Sequence, residues 1–431
     1  GSRRLSSAGA AGASSAASPR SPGRWPSKGY EASCSDFPTV DRLGRRRSAQ
    51  VSKEALQAQA SGAVSTALLV PLLTDAMTSW EIDTLTLSEF TGNKPLSTMT
   101  GHLMKELGLV RYFSLDEVKL STFLVEIERC YYSDVPYHNS AHAASVVHFT
   151  HALLSLAGVA RMVEAAAPAI SDPERRRNLV ILAAIFAAAV HDVDHIGLTN
   201  DFLVKSFNER ALHFSDRNVN EQHHLSTAFK VLHRPECNFL EGLPVVEYRQ
   251  FRSLVIDLVL ATDMAEQGRI MSRVKELMSA AGLGQQPEHS AEGDGKEQVK
   301  RARVEFAAPT EPKDALLLLQ LALKCADIGH LALAWNTHVR WVRRLEQEFF
   351  AQGDREKLSS NHDSVSFLMD RDKPGVSQTQ LGFFNFVALP MYRVLIEVFP
   401  KAHPMLTAVE ANYQRWQSVE AAAKEGTQLR S

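Results

Sequence analysis

Histidines and acids that could bind a divalent metal ion are concentrated in residues 137–200. His138 and His142 lie four positions apart, and the run His191-Asp192-Val193-Asp194-His195 follows further along the chain. Imidazole and carboxylate ligands without cysteine suit a hydrolytic zinc, manganese or magnesium site better than a structural zinc site. These four histidines and two aspartates are therefore all candidate metal ligands.

The residues around the first two histidines predict where each lies. Pro136 favours an extended chain before His138. Asn139 is suited to cap the N-terminus of the helix that follows, which places His142 in the first turn of that helix. We therefore expect the two imidazoles to approach the site from different elements and to have different roles.

The second cluster follows an apolar helical run, residues 175–190. His191 and Asp192 differ by about 100° around a helix axis, so both could reach one ion. If the helix continued, His195 would share a face with His191. Acids oppose the dipole at a helix C-terminus, so Asp192 and Asp194 at that end indicate a cation nearby.

More candidates lie downstream in Glu221-Gln222-His223-His224, at Asp263 and at Asp327. Asp327 follows a largely apolar helical run, where a carboxylate is costly to bury unless it is paired or bound to metal. Taken singly, each of these acids is more simply explained by a structural role.

The elements that must position these side chains are helices. Apolar residues recur at helical spacing from about residue 68, and no stretch alternates for long as a strand would, so the predicted fold class is all-α. The helices that the spacing predicts most clearly are 114–131, 141–157, 175–190, 220–232, 248–264 and 315–326. Polar loops are expected at 281–314 and 359–378. The predicted domains are a disordered basic segment rich in Ser, Ala, Gly and Pro (1–62), one catalytic domain (63–425) and a tail (426–431).

Composition excludes several classes of protein. Of 431 residues, 45% are hydrophobic and 22% charged, with a net charge of -2, so binding to nucleic acid through overall charge is not expected. No apolar run approaches the roughly 20 residues of a membrane span. The four cysteines are far apart in sequence, which indicates neither a disulfide framework nor a thiolate metal site and favours a cytoplasmic location. Oligomeric state is left open.

Taken together, the motifs resemble those of the class I cyclic-nucleotide phosphodiesterases, in a form like the protist members. The resemblance covers about residues 66–420. A single His-Asp pair would be shared with many metal phosphohydrolases, but here six elements follow the family's order. They are Pro-Tyr-His-Asn-x-x-His at 136–142, His-Asp-Val-Asp-His at 191–195, Val-Leu-Ala-Thr-Asp-Met at 259–264, Ala-Asp at 326–327, Glu-x-Glu-Phe-Phe-x-Gln-Gly-Asp at 346–354 and Gln-x-Gly-Phe at 380–383.

The resemblance implies two divalent metal ions. His142, His191, Asp192 and Asp327 would hold the tighter ion, usually read as Zn²⁺. Asp192 would also bridge to a second ion, Mg²⁺ or Mn²⁺, held otherwise mostly by water. A hydroxide between the two ions would attack the cyclic phosphate.

The resemblance also implies the groups that move protons. His138 would donate a proton to the departing O3′, oriented by Glu348, and His195 completes the predicted catalytic set. Together with Glu221 and Thr262, His195 would order metal-bound waters or the phosphate.

The resemblance places the purine between Phe383 and Leu345, with Gln380 at its polar edge, and the loop 359–378 over the pocket. Without the resemblance, these three phenylalanines, Phe383, Phe384 and Phe386, would be assigned to the core. The remaining predicted substrate contacts are Tyr137, His330 and Asn200.

Three positions depart from the family pattern. Ser145 replaces an aspartate, Ile196 replaces a proline, and His330 replaces an asparagine that is common in cAMP-selective members. Selectivity for cAMP therefore does not follow from the resemblance. His330 with Trp335 looks more like the protist members or the calmodulin-regulated animal members.

The expected function is metal-dependent hydrolysis of 3′,5′-cyclic nucleotides, cAMP or cGMP or both, to 5′-monophosphates, with the preference between the two left open. One alternative is another His-Asp phosphohydrolase, such as a nucleotidase, which would lack the Gln380 and Phe383 pair. A second is a catalytically silent nucleotide sensor. A sensor has no need of a proton donor such as His138, which argues against this second alternative.

Overall fold

The chain is helical throughout the part that the computed structural model describes, residues 62–282, 306–358 and 365–428. No strand occurs in these ranges, so the predicted all-α class is confirmed. Between short 3-10 segments and one π-helical turn, Phe384–Ala388, the helices are α1 Gly62–Ala76, α2 Thr84–Phe90, α3 Pro95–Glu106, α4 Leu109–Tyr112, α5 Glu117–Arg129, α6 Ser140–Ser155, α7 Val159–Met162, α8 Pro173–Val190, α9 Asn200–Lys205, α10 Glu209–His213, α11 Val219–Leu232, α12 Val245–Leu260, α13 Gln267–Ala280, α14 Pro312–Asp327, α15 Trp335–Leu358, α16 Gln380–Phe383, α17 Leu389–Val398 and α18 His403–Gln428.

Several predicted segments lie outside the described residues. Among them are the basic segment up to residue 61, most of the 281–314 loop, the first part of the 359–378 loop and the last residues of the tail. Every described residue lies within one compact unit, Gln50–Ser431.

All six helices listed from spacing are present, with shifted ends. The first begins at Glu117 rather than at 114, because Ser114 has a φ of +52° and Asp116 caps the helix by accepting from the backbone N–H groups of Val118 and Lys119. The predicted cap at Asn139 is confirmed, since its side chain accepts from the N–H groups of Ala141 and His142.

Helix α8 does not continue past His191, so the condition under which His195 would share a helix face with His191 is not met. The helix ends at Val190, and residues 191–194 form a turn in which Asp194 has a φ of +64°. A left-handed residue changes the chain direction, so His195 does not share a helix face with His191.

Helices α6, α8 and α14 pack against one another and position the metal-ligating residues. The C-terminal half of α8 is buried on every side, and its small residues, Ala and Val among them, let the neighbouring helices approach closely. The start of α6 and the ends of α8 and α14 meet at one place. Two helix C-termini that carry acids repel each other unless a cation lies between them. The packing of these helices therefore favours a bound cation at this place.

A buried lysine supports this region. Lys324 on α14 is 3% exposed, and its Nζ donates to the carbonyl oxygens of Ala261, Thr262 and Asp263 at 3.1, 3.3 and 3.1 Å. These carbonyls follow the end of α12, and the carbonyl of Asp263 also accepts from the backbone N–H of Glu266 at 3.0 Å. All three ammonium donors of Lys324 are therefore used.

Replacing Lys324 by methionine should lower the free energy of unfolding by about 3 kcal/mol, because the stem still packs while the carbonyls of Ala261 and Thr262 lose their donor. Urea denaturation of the variant measures this. Lys313→Met, an exposed lysine on the same helix, is the matched control and should change stability by less than about 0.5 kcal/mol. Equal stabilities for the two variants would contradict the structural role of Lys324.

One helical stretch of the described residues, Gln380–Val398, is long and apolar enough to cross a membrane by length and composition, which sequence analysis did not predict. Its Phe384, Leu389 and Tyr392 side chains are buried in the core. A core helix passes the same test, so the stretch is weak evidence for a membrane span.

Candidate metal centre and active site

Four side chains converge at the junction of α6, α8 and α14. One ligand atom from each of His142, His191, Asp192 and Asp327 lies within 4.8 Å of the others. His142 Nε2 is 3.3 Å from His191 Nε2, 3.4 Å from Asp192 Oδ2 and 3.2 Å from Asp327 Oδ1. His191 Nε2 is 3.2 Å from Asp192 Oδ2 and 3.3 Å from Asp327 Oδ1.

These separations fit a single metal ion. Ligand atoms about 2.1 Å from a tetrahedral zinc ion lie about 3.4 Å from one another. Two imidazole nitrogens and two carboxylates also match the donor types that such an ion prefers. The four predicted ligands thus have both the spacing and the chemistry of a metal site.

Local hydrogen bonds orient the ligands. His191 Nδ1 is 2.9 Å from the carbonyl oxygen of Ala188, to which it can only donate, so its Nε2 lone pair faces the other ligands. Asn139 fixes the first turn of α6 and hence His142. Asp192 contributes Oδ2 to the group, while its Oδ1 lies 3.8 Å from His224 Nε2.

The two carboxylates of the group carry negative charge. Burial alone would raise the pKa of both Asp192 and Asp327, but neighbouring histidines hold both pKa values below the usual range. For Asp192 the main opposing effect comes from His191, and for Asp327 it comes from the hydrogen bonds of His142 and His191. Both acids therefore remain anionic in a buried place, as metal ligands must.

A second group, His138, His195 and Glu348, lies beside the first. His138 Nδ1 is 2.5 Å from Glu348 Oε1, while Glu348 Oε2 accepts from the backbone N–H groups of Tyr137 and His138 at 2.9 and 3.1 Å. The rings of His138 and His195 are 4.2 Å apart. The structure thus places His138 and His195, both first considered as metal ligands, outside the four-ligand group.

The two histidines of this second group differ in charge. Burial lowers the pKa of His138, but the carboxylates of Glu348 and then Asp192 outweigh it and raise the pKa to about 9. Burial, with the charge of His138, lowers the pKa of His195 to about 3. His195 Nδ1 accepts from the N–H of Gly197 at 3.0 Å. His138 is therefore a cation with a proton to give, and His195 is neutral.

Asp194 is not placed as a metal ligand. Its Oδ2 lies 2.7 Å from His223 Nε2 and 3.2 Å from Arg210 Nη2, and Arg210 Nη1 donates to its carbonyl oxygen at 2.9 Å. The positive φ of Asp194 turns this carboxylate away from Asp192. Its role is to hold the turn after α8.

The predicted water- and phosphate-ordering residues lie in a polar network. Asn200 Nδ2 donates to Glu221 Oε2 at 2.9 Å, and burial together with Asp263 raises the pKa of Glu221 to about 7. The hydroxyl of Thr262 donates to the carbonyl of Val259 at 2.8 Å. The Oδ1 of Asn200 accepts from the backbone N–H of Asn220. Both ends of this amide are therefore hydrogen-bonded within the protein, and Asn200 orients the Glu221 carboxylate.

Gln380 has a defined amide orientation. Its Nε2 donates to the carbonyl of Val376 at 3.0 Å, and a carbonyl can only accept, so Oε1 must point the other way. Oε1 is buried and has no partner within the described part of the chain. The side chain therefore offers a buried acceptor that requires a donor.

The turn that holds Gln380 is attached to α15, the helix that carries Glu348. Glu346 Oε1 accepts from the backbone N–H and the hydroxyl of Ser377 at 3.0 and 2.6 Å. A Cβ on Gly375 would lie 2.3 Å from that oxygen, so a larger residue there would push the Glu346 carboxylate away from Ser377. The acceptor of Gln380 is thus fixed relative to α15 and Glu348.

The other predicted pocket residues lie near these groups. Phe383 and Leu345 are partly buried against the core, and Tyr137 is buried with its ring 4.7 Å from that of His142 and 5.7 Å from that of His330. The core assignment from composition holds for Phe384, which is buried, but is wrong for Phe386, which is 84% exposed. The π-helical turn gives these neighbouring phenylalanines opposite environments.

Sequence reasoning did not identify three rings around the site. His224 lies beside Asp192, Trp341 packs on Tyr137 and His142, and His338 stacks on His330. His224 stood in a polar motif that was noted only as a source of candidates. Nothing in the spacing of Trp341 or His338 distinguishes them from ordinary core residues of an amphipathic helix.

Comparison with known proteins adds independent information. A family model described as 3′5′-cyclic nucleotide phosphodiesterase matches residues 137–409. The chain is 31% identical over 340 residues to the rat (Rattus norvegicus) protein named 3′,5′-cyclic-AMP phosphodiesterase 4C, covering 79% of this chain and 57% of the relative. It is 32% identical over 340 residues to the probable 3′,5′-cyclic-AMP phosphodiesterase pde-4 of Caenorhabditis elegans, covering 79% and 45%. The chain thus spans about half the length of these relatives.

The fold is also similar to solved structures. The phosphodiesterase domain of the Salpingoeca rosetta rhodopsin phosphodiesterase matches with a TM-score of 0.68 and 28% identity, covering 82% of this chain and 95% of that one. A second structure of the phosphodiesterase domain from that choanoflagellate fusion protein matches with a TM-score of 0.67 and 27% identity, covering 81% and 97%.

Proposed function

Because the chain belongs to the 3′5′-cyclic nucleotide phosphodiesterase family, we propose that it hydrolyses 3′,5′-cyclic nucleotides, cAMP among them, to 5′-monophosphates. One observation carries the proposal. A four-ligand metal group lies beside a protonated histidine, His138, that is paired with a buried carboxylate, Glu348. Phosphodiester hydrolysis needs both parts, charge stabilisation at phosphorus and a proton for the leaving oxygen.

The four-ligand group would hold the tighter metal ion, for which we propose zinc on the basis of its two imidazoles. A second ion, magnesium or manganese, would share Asp192, whose Oδ1 lies outside the group. Bound divalent ions supply Lewis acidity at the phosphoryl oxygens and lower the pKa of water. Glu221, near Asp192 and Asp263, would order the waters around the second ion.

His138 would act as the general acid. Its Nδ1 faces Glu348, so Nε2 is the nitrogen that can give a proton to O3′. Glu348 is itself fixed by two backbone N–H groups, which keeps the imidazolium oriented. Neutral His195 packs on this ring and does not compete with it for the proton.

Gln380, Phe383 and Leu345 would bind the purine. The free Oε1 of Gln380 can accept from the 6-amino group of adenine or from N1–H of guanine. Relatives named as cAMP phosphodiesterases support cAMP as a substrate, and the acceptor on Gln380 is compatible with cGMP as well. The cytoplasmic location stays a prediction.

Steady-state hydrolysis of cAMP and cGMP by the purified chain in magnesium, with and without chelator, tests the proposal. We expect turnover of cAMP that chelation abolishes and that added metal restores. No turnover of either nucleotide by protein that contains bound metal would contradict it, and would favour the silent sensor or another phosphoester substrate.

A further inference from the structure

The turn after α8, residues 191–194, is held by an arginine from another helix, Arg210 on α10. Arg210 Nη1 donates to the carbonyl oxygen of Asp194 at 2.9 Å, and Nη2 donates to Asp194 Oδ2 at 3.2 Å. The two nitrogens of one guanidinium therefore bind the main chain and the side chain of the same residue. A planar fork of donors suits this paired contact, which the single ammonium group of lysine cannot reproduce.

Arg210 is itself held in place by the start of α10. The side chain of Asn208 caps this helix and accepts from the backbone N–H of Arg210 at 3.0 Å. The next residue, Ala211, is fully buried in a small hydrophobic cluster that is separate from the main core and consists of Leu198, Phe202, Leu203, Ala211 and Val219. The guanidinium of Arg210 thus links this cluster to the turn that ends α8.

The turn contains a residue in an unfavourable backbone conformation. Asp194 has a φ of +64°, in the left-handed region that residues with a side chain seldom adopt. Next to it, His224 Nδ1 lies 2.6 Å from the carbonyl oxygen of Val193. Because Arg210 binds both the carbonyl and the carboxylate of Asp194, it opposes relaxation of the turn to a more favourable conformation.

Asp192 is the metal ligand whose position depends on this turn. Its carbonyl oxygen accepts from the backbone N–H of His195 at 3.0 Å, which closes the turn. Its Oδ2 belongs to the four-ligand group, and its Oδ1 lies outside that group. The other three ligands lie on α6, at the end of α8 and on α14. A change in the turn should therefore move Asp192 more than it moves the other ligands.

We propose that Arg210 is a positioning residue that holds Asp192 in the orientation in which its Oδ1 binds the second divalent ion. This inference rests on the proposed function for the presence of that ion. Arg210 lies outside the six sequence elements that resemble the family, so no motif indicated it. Its removal weakens binding of the second ion and leaves the tighter ion in place.

The charge of Arg210 predicts the opposite effect. A guanidinium is always protonated, and close to Asp192 it repels a divalent cation. If charge alone mattered, removing Arg210 would strengthen binding of the second ion. Arg210→Lys keeps the charge and loses the paired hydrogen bonds, whereas Arg210→Met loses both. The two variants therefore separate positioning from charge.

Binding of Mn²⁺ to protein already loaded with zinc tests the inference without any nucleotide. Electron paramagnetic resonance of free Mn²⁺ during a titration gives both the number of sites and Kd. Removing a group that orients a metal ligand typically weakens metal binding ten- to hundredfold. We therefore expect Kd for Mn²⁺ to rise about tenfold in both Arg210→Met and Arg210→Lys, with the number of sites and the zinc content unchanged.

Arg217→Met is the matched control, because it removes an exposed guanidinium from the same segment. It should change neither Kd nor the zinc content. Tighter Mn²⁺ binding in Arg210→Met with an unchanged Kd in Arg210→Lys would show that Arg210 acts through charge alone, and would overturn the inference. An unchanged Kd in both variants would overturn it as well, even with fewer sites, since that combination indicates only a loss of folded protein.

Kinetics distinguish failure of this inference from failure of the proposed function. If the unmodified chain hydrolyses neither cAMP nor cGMP, the proposed function fails, while the Mn²⁺ titration still decides the role of Arg210. No Mn²⁺ binding to the zinc-loaded unmodified chain would overturn the inference. In the active enzyme, the Mg²⁺ concentration that gives half-maximal turnover should rise about tenfold in Arg210→Met and Arg210→Lys. KM for cAMP at saturating Mg²⁺ should stay unchanged, because Arg210 binds the turn and not the purine pocket.

Discussion

Replacing His138 by alanine is expected to lower kcat for cyclic-nucleotide hydrolysis at least about a hundredfold, with metal content unchanged. His138 is the histidine that carries a proton near neutral pH beside the metal group, and Glu348 both orients and charges it. The four metal ligands do not depend on its ring. Steady-state kinetics together with elemental analysis of the purified variant provide the measurement.

The pH dependence of Glu348→Gln separates a proton donor from a simple binding group. With Glu348 present, the pKa of His138 is raised to about 9, so the acid form predominates up to that pH. Removing the carboxylate removes the largest effect that raises this pKa. As the pH is raised, the activity of the variant should therefore begin to fall at a lower pH than that of the original chain. Because less His138 is protonated at neutral pH, kcat should also be reduced there.

Two results would contradict the general-acid role. One is an unchanged kcat in His138→Ala. The other is a pH profile of Glu348→Gln that matches the original chain, since this would mean that the protonation of His138 does not control turnover.

Spacing marked the four predicted metal ligands only as members of a larger set of candidates, each of which follows or begins a strongly periodic helix, and the resemblance to a family selected them. Helix ends are marked by composition, as at Asn139 and at the end of α8, and acids at a C-terminus indicate a cation. Which helix ends meet in space was known only through the resemblance to a family. Packing of α6, α8 and α14 decides it, and this packing depends on contacts between residues far apart in sequence.

The positions and partners of the Asp194 and His195 side chains could not be predicted from local spacing. Both depend on one backbone feature, the positive φ of Asp194, which ends the helical register and directs its carboxylate to Arg210 and His223. Aspartate tolerates a positive φ, but an aspartate in the sequence does not predict one. His195 is consequently brought to Glu348, a partner on α15 that no local pattern connects with it.

The hydrogen bond from Trp416 to His338 shows the same limit over a longer distance. His338 and Trp416 are 78 residues apart and lie on different helices, α15 and α18. Each reads as an ordinary core residue in its own helix. Their hydrogen bond depends on how the last helix packs on the loop after α14, and α18 extends beyond the residues that the family model matches.

His191→Ala is expected to have the other large effect, loss of the tighter metal ion and with it of turnover. His191 Nε2 lies within 3.2–3.3 Å of the other three ligand atoms, so its removal opens one side of the group and leaves two carboxylates with one imidazole. Removing only a hydrogen-bond partner of a ligand typically weakens metal binding ten- to hundredfold, so removing the ligand should weaken it at least about a hundredfold.

Elemental analysis after dialysis measures the bound metal, and titration of added zinc and magnesium measures recovery of turnover. The variant should lose metal on dialysis and regain activity only at raised metal concentration, in contrast to His138→Ala, which should retain metal and stay slow. His233→Ala, which removes a surface imidazole hydrogen-bonded to Tyr248, is the matched control and should change neither quantity. If His191→Ala kept its metal through dialysis, the ion would be held elsewhere, and the assignment of the four ligands would be wrong.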